Sequence, residues 1–212
     1  MSPDSYLIKL NIFDIFATLF PGAIFSTAIA IPIYGLEIIE SSSALLIGLF
    51  VLYSYLIGQV FQISSGALFK RLSGEKAFIN MLKSDDKSSL ETSFYCNLSS
   101  NFNGDLKSEN DFSNVYKHIL LENDKNELKR SRRIQAIFMS LRSISLVFAV
   151  LSIFYFILFA KYRSLEIWAD QLVIVSLMSV SIVLSFIFYF RSQSRIKEFL
   201  SYLLIEYNSN FD

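Results

Sequence analysis

One cysteine, Cys96, and one histidine, His118, are all that 212 residues offer for thiol or imidazole chemistry. A single thiol closes no intramolecular disulfide and excludes a metal site built on cysteines. The chain has no Gly-rich phosphate loop, no His/Cys/Asp ligand spacing and no nucleophile elbow. Intramembrane proteolysis would need a buried Asp pair, a Ser with a His, or a metal motif, and none is present. His118 stands beside Lys117 on the polar flank of an amphipathic stretch, the place of a surface residue. These absences predict a protein that is not an enzyme and uses no cofactor or metal. Charge is also scarce: 18% of the residues are charged, whereas a soluble domain carries about a quarter. The N-terminal stretch lacks the basic flank and small-residue cleavage pattern of a secretory signal, so its apolar block is expected to stay in the chain.

What is abundant is apolar sequence, 53% of the chain, gathered in four charge-free blocks. They lie between Asp14 and Glu37, Glu40 and Lys70, Arg142 and Lys161, and Asp170 and Arg191. A bilayer core takes about 20 apolar helical residues to cross, so each block is long enough to span. A strand of an outer-membrane barrel is about 10 residues long with alternating polarity, which none of them matches. The pattern predicts an all-α polytopic membrane protein with four transmembrane helices and a small cytoplasmic helical region. Residues 1–65 form the N-terminal segment and a first hairpin, with spans near 15–36 and 43–65. Residues 66–141 form the cytoplasmic region, 142–190 a second hairpin with spans near 143–160 and 171–190, and 191–212 a cytoplasmic C-terminal helix. With the N-terminus inside, seventeen of the basic residues are cytoplasmic and only Lys161 and Arg163 lie outside, the bias expected of a multi-pass protein of the bacterial inner membrane with both termini in the cytoplasm. Trp168 and Tyr34 then fall at the outer boundary, where amphipathic rings are favoured.

The region 66–141 reads as helices and loops. Asp111 is placed to cap a segment in which Phe112, Val115, Tyr116, Ile119 and Leu120 form one apolar stripe. Ser88 and Glu91 have capping-box spacing. Residues 96–111 are rich in Asn, Ser, Gly and Asp and read as a loop. The stretch from Asn123 to Ser143 has no Pro or Gly, so it can run as one helix into span three. After span four, Ile196, Phe199, Leu200, Leu203, Leu204 and Tyr207 mark another helical face, and the stripes are expected to pack on one another.

Three sets of residues stand out as candidate sites. Pro21 and Gly22 lie inside span one, where proline removes a backbone donor; they read either as a hinge or as a packing kink. Asp14, at the inner edge of that span, reads as an N-cap. In span two, Ser54 and Gly58 have small-xxx-small spacing, with Tyr55, Gln59 and Gln62 one turn on or beside them. Amides facing hydrocarbon forgo hydrogen bonds to water, so this face meets protein or water: another subunit, a pore, or other helices of the same chain. Serines recur in spans three and four (Ser145, Ser152, Ser176, Ser179, Ser181, Ser185), where serine can also bond back to its own helix. Lys125, Lys129, Arg130, Arg132 and Arg133 precede span three and read first as the positive-inside flank of that helix, and otherwise as a site for anionic lipid headgroups or an acidic partner protein. Ten acids share the loop, which disfavours direct nucleic-acid binding.

The stretch FDIFATLFPG at Phe13–Gly22, followed in span two by YLIGQ at Tyr55–Gln59, resembles small bacterial inner-membrane proteins of phage-defence loci. The four-span layout also looks like the membrane subunit of the two-component Kiwa anti-phage system. That resemblance implies a homotetramer working with a cytosolic, DNA-associated partner. The expected function is thus a homo-oligomeric membrane sensor or scaffold that recruits or regulates a cytosolic protein while contacting membrane lipids. An oligomeric pore-forming effector and a plain membrane assembly subunit are the rival readings.

Overall fold

The computed structural model describes residues 12–34, 44–69, 74–83, 109–124, 130–161 and 171–208. These form six α-helices, and no strand occurs among the described residues. They are α1 (Ile12–Tyr34), α2 (Ala44–Leu68), α3 (Gly74–Lys83), α4 (Glu109–Asp124), α5 (Arg130–Lys161) and α6 (Gln171–Asn208). Three are long and apolar enough to cross a membrane: α2, α5 and α6. In α1, 23 residues long, the apolar stretch Ala17–Ile33 is shorter than in those three. At 1.5 Å per residue, α5 and α6 reach about 48 and about 57 Å, well beyond a hydrocarbon core of about 30 Å. Their extra length is polar: α5 opens on Arg130, Arg133 and Gln135, and α6 continues past Arg191, Arg195 and Lys197.

The chain divides into two compact units. Unit one gathers Met1–Ser65 and Met139–Arg191, thus α1, most of α2, and the apolar parts of α5 and α6. Here α5 is the central helix: 44% of its apolar window is buried, against 17% for α2 and 11% for α6. Every residue from Arg142 to Val147 is buried, with small exposed fractions left at Arg142, Ile144 and Leu146. Ser145 and Ser185 clasp α5 to α6, each hydroxyl donating to the other's carbonyl at 2.9 and 3.0 Å, and Phe148 stacks on Phe188 nearby. Large side chains point outward instead from α2 (Leu52, Leu56, Val60, Ile63) and α6 (Leu172, Val183, Phe186, Phe190). An apolar surface of that extent in water is unfavourable for a monomer, so lipid or protein must cover it.

Unit two gathers Gly66–Phe138 and Ser192–Asp212. Its core is the set of stripes legible in the sequence: Phe112, Val115, Tyr116 and Ile119 of α4, and Ile196, Phe199, Leu200, Leu203 and Leu204 of α6, all buried. Phe78 of α3, fully enclosed, packs on Tyr116 with ring centres 5.4 Å apart. Burial, and after it the Glu75 carboxylate, push the Tyr116 phenol far above its usual range. Glu206 of α6 accepts from the Ser131 backbone N–H at 3.2 Å and from the Ser131 hydroxyl. That N–H belongs to the first turn of α5, which has no acceptor within its own helix, and a carboxylate suits the positive end of the helix.

One expected boundary shifts. Helix α4 begins at Glu109, so Asp111 lies in its first turn, where an acid complements the helix dipole, and not at the cap. The side chains of Asp14, Tyr34, Leu120, Arg132 and Tyr207, and the residues Ser88, Glu91, Cys96, Lys125, Lys129 and Trp168, lie outside the described residues.

Candidate functional site

Two close approaches join α1 to α2. A Cβ added at Gly22 would fall 1.7 Å from the Ser54 carbonyl oxygen, and one at Gly58 would fall 1.8 Å from the Thr18 carbonyl oxygen. Each glycine therefore lets the other helix's backbone take the space of a side chain, the geometry that small residues permit in membrane helices. Ser54 is fully buried there, its hydroxyl without a hydrogen-bond partner. One turn on, the Thr18 hydroxyl donates to the Gln62 side-chain oxygen at 2.8 Å. The face of α2 marked by Ser54, Gly58 and Gln62 thus meets α1 of the same chain, one of the three occupants open from sequence. Tyr55 and Gln59 lie beside it, half-buried, with the Gln59 amide donating to the Tyr55 hydroxyl at 3.0 Å. Pro21 and Gly22 are buried, and α1 continues through Pro21 and Pro32 without interruption.

The basic set is placed in part. The Arg130 guanidinium lies over the Tyr202 ring, 4.2 Å from its centre, a cation–π contact within unit two. Arg133 is exposed. In unit one, an apolar cavity of about 770 Å³ opens between α1 and α2, lined among others by Thr27, Ile31, Phe50, Tyr53 and Leu56. None of the described residues that line it is charged. Among the described residues, no three His, Cys, Asp or Glu side chains converge.

Three arrangements were not foreseen from the sequence. Arg142, read there as an ordinary flanking charge, is 7% exposed, and its Nε–H donates to the Ser65 hydroxyl at 3.3 Å. The Tyr155 hydroxyl donates to the Ala28 carbonyl at 2.8 Å. Pro32, four residues after Ala28, has no N–H to offer that carbonyl, so Tyr155 supplies the donor the proline removes. Of the serines, Ser152, Ser176 and Ser179 bond back to their own helices, whereas Ser145 and Ser185 bond across. The two behaviours share one residue type, and no local pattern separates them. Comparison with protein families, with curated proteins and with solved structures finds no match.

Proposed function

We propose that this chain is a four-span protein of the bacterial inner membrane, with α1 as the additional span and with both termini and residues 66–141 in the cytoplasm. It acts without catalysis, as a homo-oligomeric sensor and scaffold of antiviral defence that recruits or regulates a cytosolic protein. One observation carries this reading: α5 and α6 each run unbroken from a charge-free segment into a separately packed unit of amphipathic helices. Both helices thus contribute buried residues to each unit. The antiviral context rests on the resemblance of FDIFATLFPG and YLIGQ. A pore is the weaker reading, because Gly58 and Gln62, its best lining candidates, are occupied by α1 of the same chain.

The test is purification of the full-length chain from its native host after cross-linking, combined with phage challenge of cells lacking its gene. A stoichiometric cytosolic protein encoded by the same locus, together with lost phage resistance in the deletion, is the expected result. Ion flux through liposomes holding the purified chain alone would favour the pore. Unchanged phage sensitivity would remove the defence role.

A further inference from the structure

Arg142 is a group the proposed function leaves unused. Its neighbours Ser65 and Ser143 are fully buried, their hydroxyl oxygens 3.2 Å apart. The Ser65 hydroxyl is held by the Gln62 carbonyl at 3.0 Å, and the Ser143 hydroxyl by the Met139 carbonyl at 3.0 Å. Arg142 gives Ser65 one hydrogen bond, although a guanidinium carries five N–H donors. Among the described residues no carboxylate pairs with it. Among the described residues the buried side-chain polar atoms without a partner are the hydroxyls of Ser26 and Ser54, and the terminal nitrogens of Arg142 are not among them. Arg142 is enclosed but for 7% of its surface.

A cation so enclosed is strongly unfavourable until an anion completes it. The position of the cluster indicates which anion. Arg142 is the last charge before the charge-free run of α5, and Ser65 lies just before Lys70, the first charge after the run of α2. Both helices therefore leave their apolar segments at this cluster. On the membrane reading, on which this inference rests, that is the depth of the lipid phosphates. A planar guanidinium fork matches two phosphate oxygens at once.

We propose that Arg142, oriented by Ser65, forms a binding site for a phosphate oxyanion between α2 and α5, filled from the bilayer by an anionic phospholipid. The full-length protein, purified and delipidated, is to be placed in nanodiscs of phosphatidylcholine with or without phosphatidylglycerol. Retained lipid is counted by native mass spectrometry and Tm is measured in each. The wild type should retain phosphatidylglycerol selectively and gain Tm from it. Arg142→Gln should bind it about tenfold more weakly, as expected for loss of a charge-assisted hydrogen bond. Arg142→Lys should fall between, keeping the charge and losing the fork. Inorganic phosphate at millimolar concentration, raising Tm of the wild type but not of Arg142→Gln without any lipid preference, would keep the site and make free phosphate its source. A wild type indifferent to both phosphatidylglycerol and phosphate overturns the proposal, and that arm requires no variant to fold. A changed oligomeric state in Arg142→Gln, with lipid retention unaltered, overturns it in favour of a subunit contact. Carbonate washing of native membranes tests the membrane reading separately: release of the chain would defeat that reading, whereas a retained chain without lipid preference defeats only the site.

Discussion

Gly58 and Gly48 belong to the same helix and differ in what surrounds them. A Cβ at Gly58 would sit 1.8 Å from the Thr18 carbonyl oxygen, whereas a Cβ at Gly48 meets nothing within 4 Å. The first contact is to backbone, which cannot swing aside as a side-chain end can, so the helices must separate. Gly58→Ala should then destabilise the fold by about 1–3 kcal/mol through overpacking. Gly48→Ala should be neutral or slightly stabilising, since alanine is the better helix former. Thermal unfolding of both variants in the same detergent checks this. Equal Tm values for Gly58→Ala and the wild type would mean that α1 and α2 are not in contact there. The spacing of Ser54 and Gly58 announced close packing, but spacing along one helix carries no information about the partner. What identifies the partner is Gly22 and Thr18 on α1, small residues four apart that answer the pair on α2.

At the scale of the helix, proline and tyrosine form a matched set. Pro32 leaves the Ala28 carbonyl of α1 without its helical donor, and the Tyr155 hydroxyl from α5 takes that place at 2.8 Å. Tyr155→Phe should cost about 0.6 kcal/mol, the average for hydrogen bonds between membrane helices, and at most about 1.7 kcal/mol. Pro32→Ala restores a backbone N–H to α1, so Tyr155→Phe should cost clearly less in that background. A double-mutant cycle on Tm reads the difference, and additive effects of the two substitutions would show that hydroxyl and proline are not coupled. The helices themselves were legible, because charge-free runs and 3.6-residue stripes are local properties. So α2, α5 and α6 could be outlined from sequence, as could the buried faces at Phe112 to Ile119 and Ile196 to Leu204. Contacts such as Tyr155 with Ala28 and Arg142 with Ser65 join positions 127 and 77 residues apart. No periodicity encodes them, and Arg142 was indistinguishable from the other basic residues flanking span three.

For the molecule as a whole, the open quantity is the number of crossings, and α1 decides it. Among the described residues three helices are apolar and long enough to cross, and three crossings would put the N-terminal segment opposite to residues 66–141. At 23 residues, α1 extends about 35 Å, enough for a core of about 30 Å, and no charged residue interrupts it between Asp14 and Glu37. The charge distribution favours the fourth crossing: Lys9 then joins the other cytoplasmic basic residues, leaving only Lys161 and Arg163 outside. Single cysteines at Ser5, Ser99, Ser164 and Ser209, in a Cys96→Ser background, separate the cases. With four spans, a membrane-impermeant thiol reagent applied to intact spheroplasts should label only Ser164→Cys. Labelling of Ser5→Cys together with Ser164→Cys would establish three spans, with α1 lying on or outside the outer face. Labelling of Ser99→Cys would invert the topology, and residues 66–141 could then recruit no cytosolic protein. Permeabilised spheroplasts serve as the control, since every cysteine must label there before protection in intact cells carries meaning. The four-span outcome would put unit two and the phosphate site at Arg142 on the cytoplasmic side, where anionic lipid headgroups and a soluble partner are both within reach.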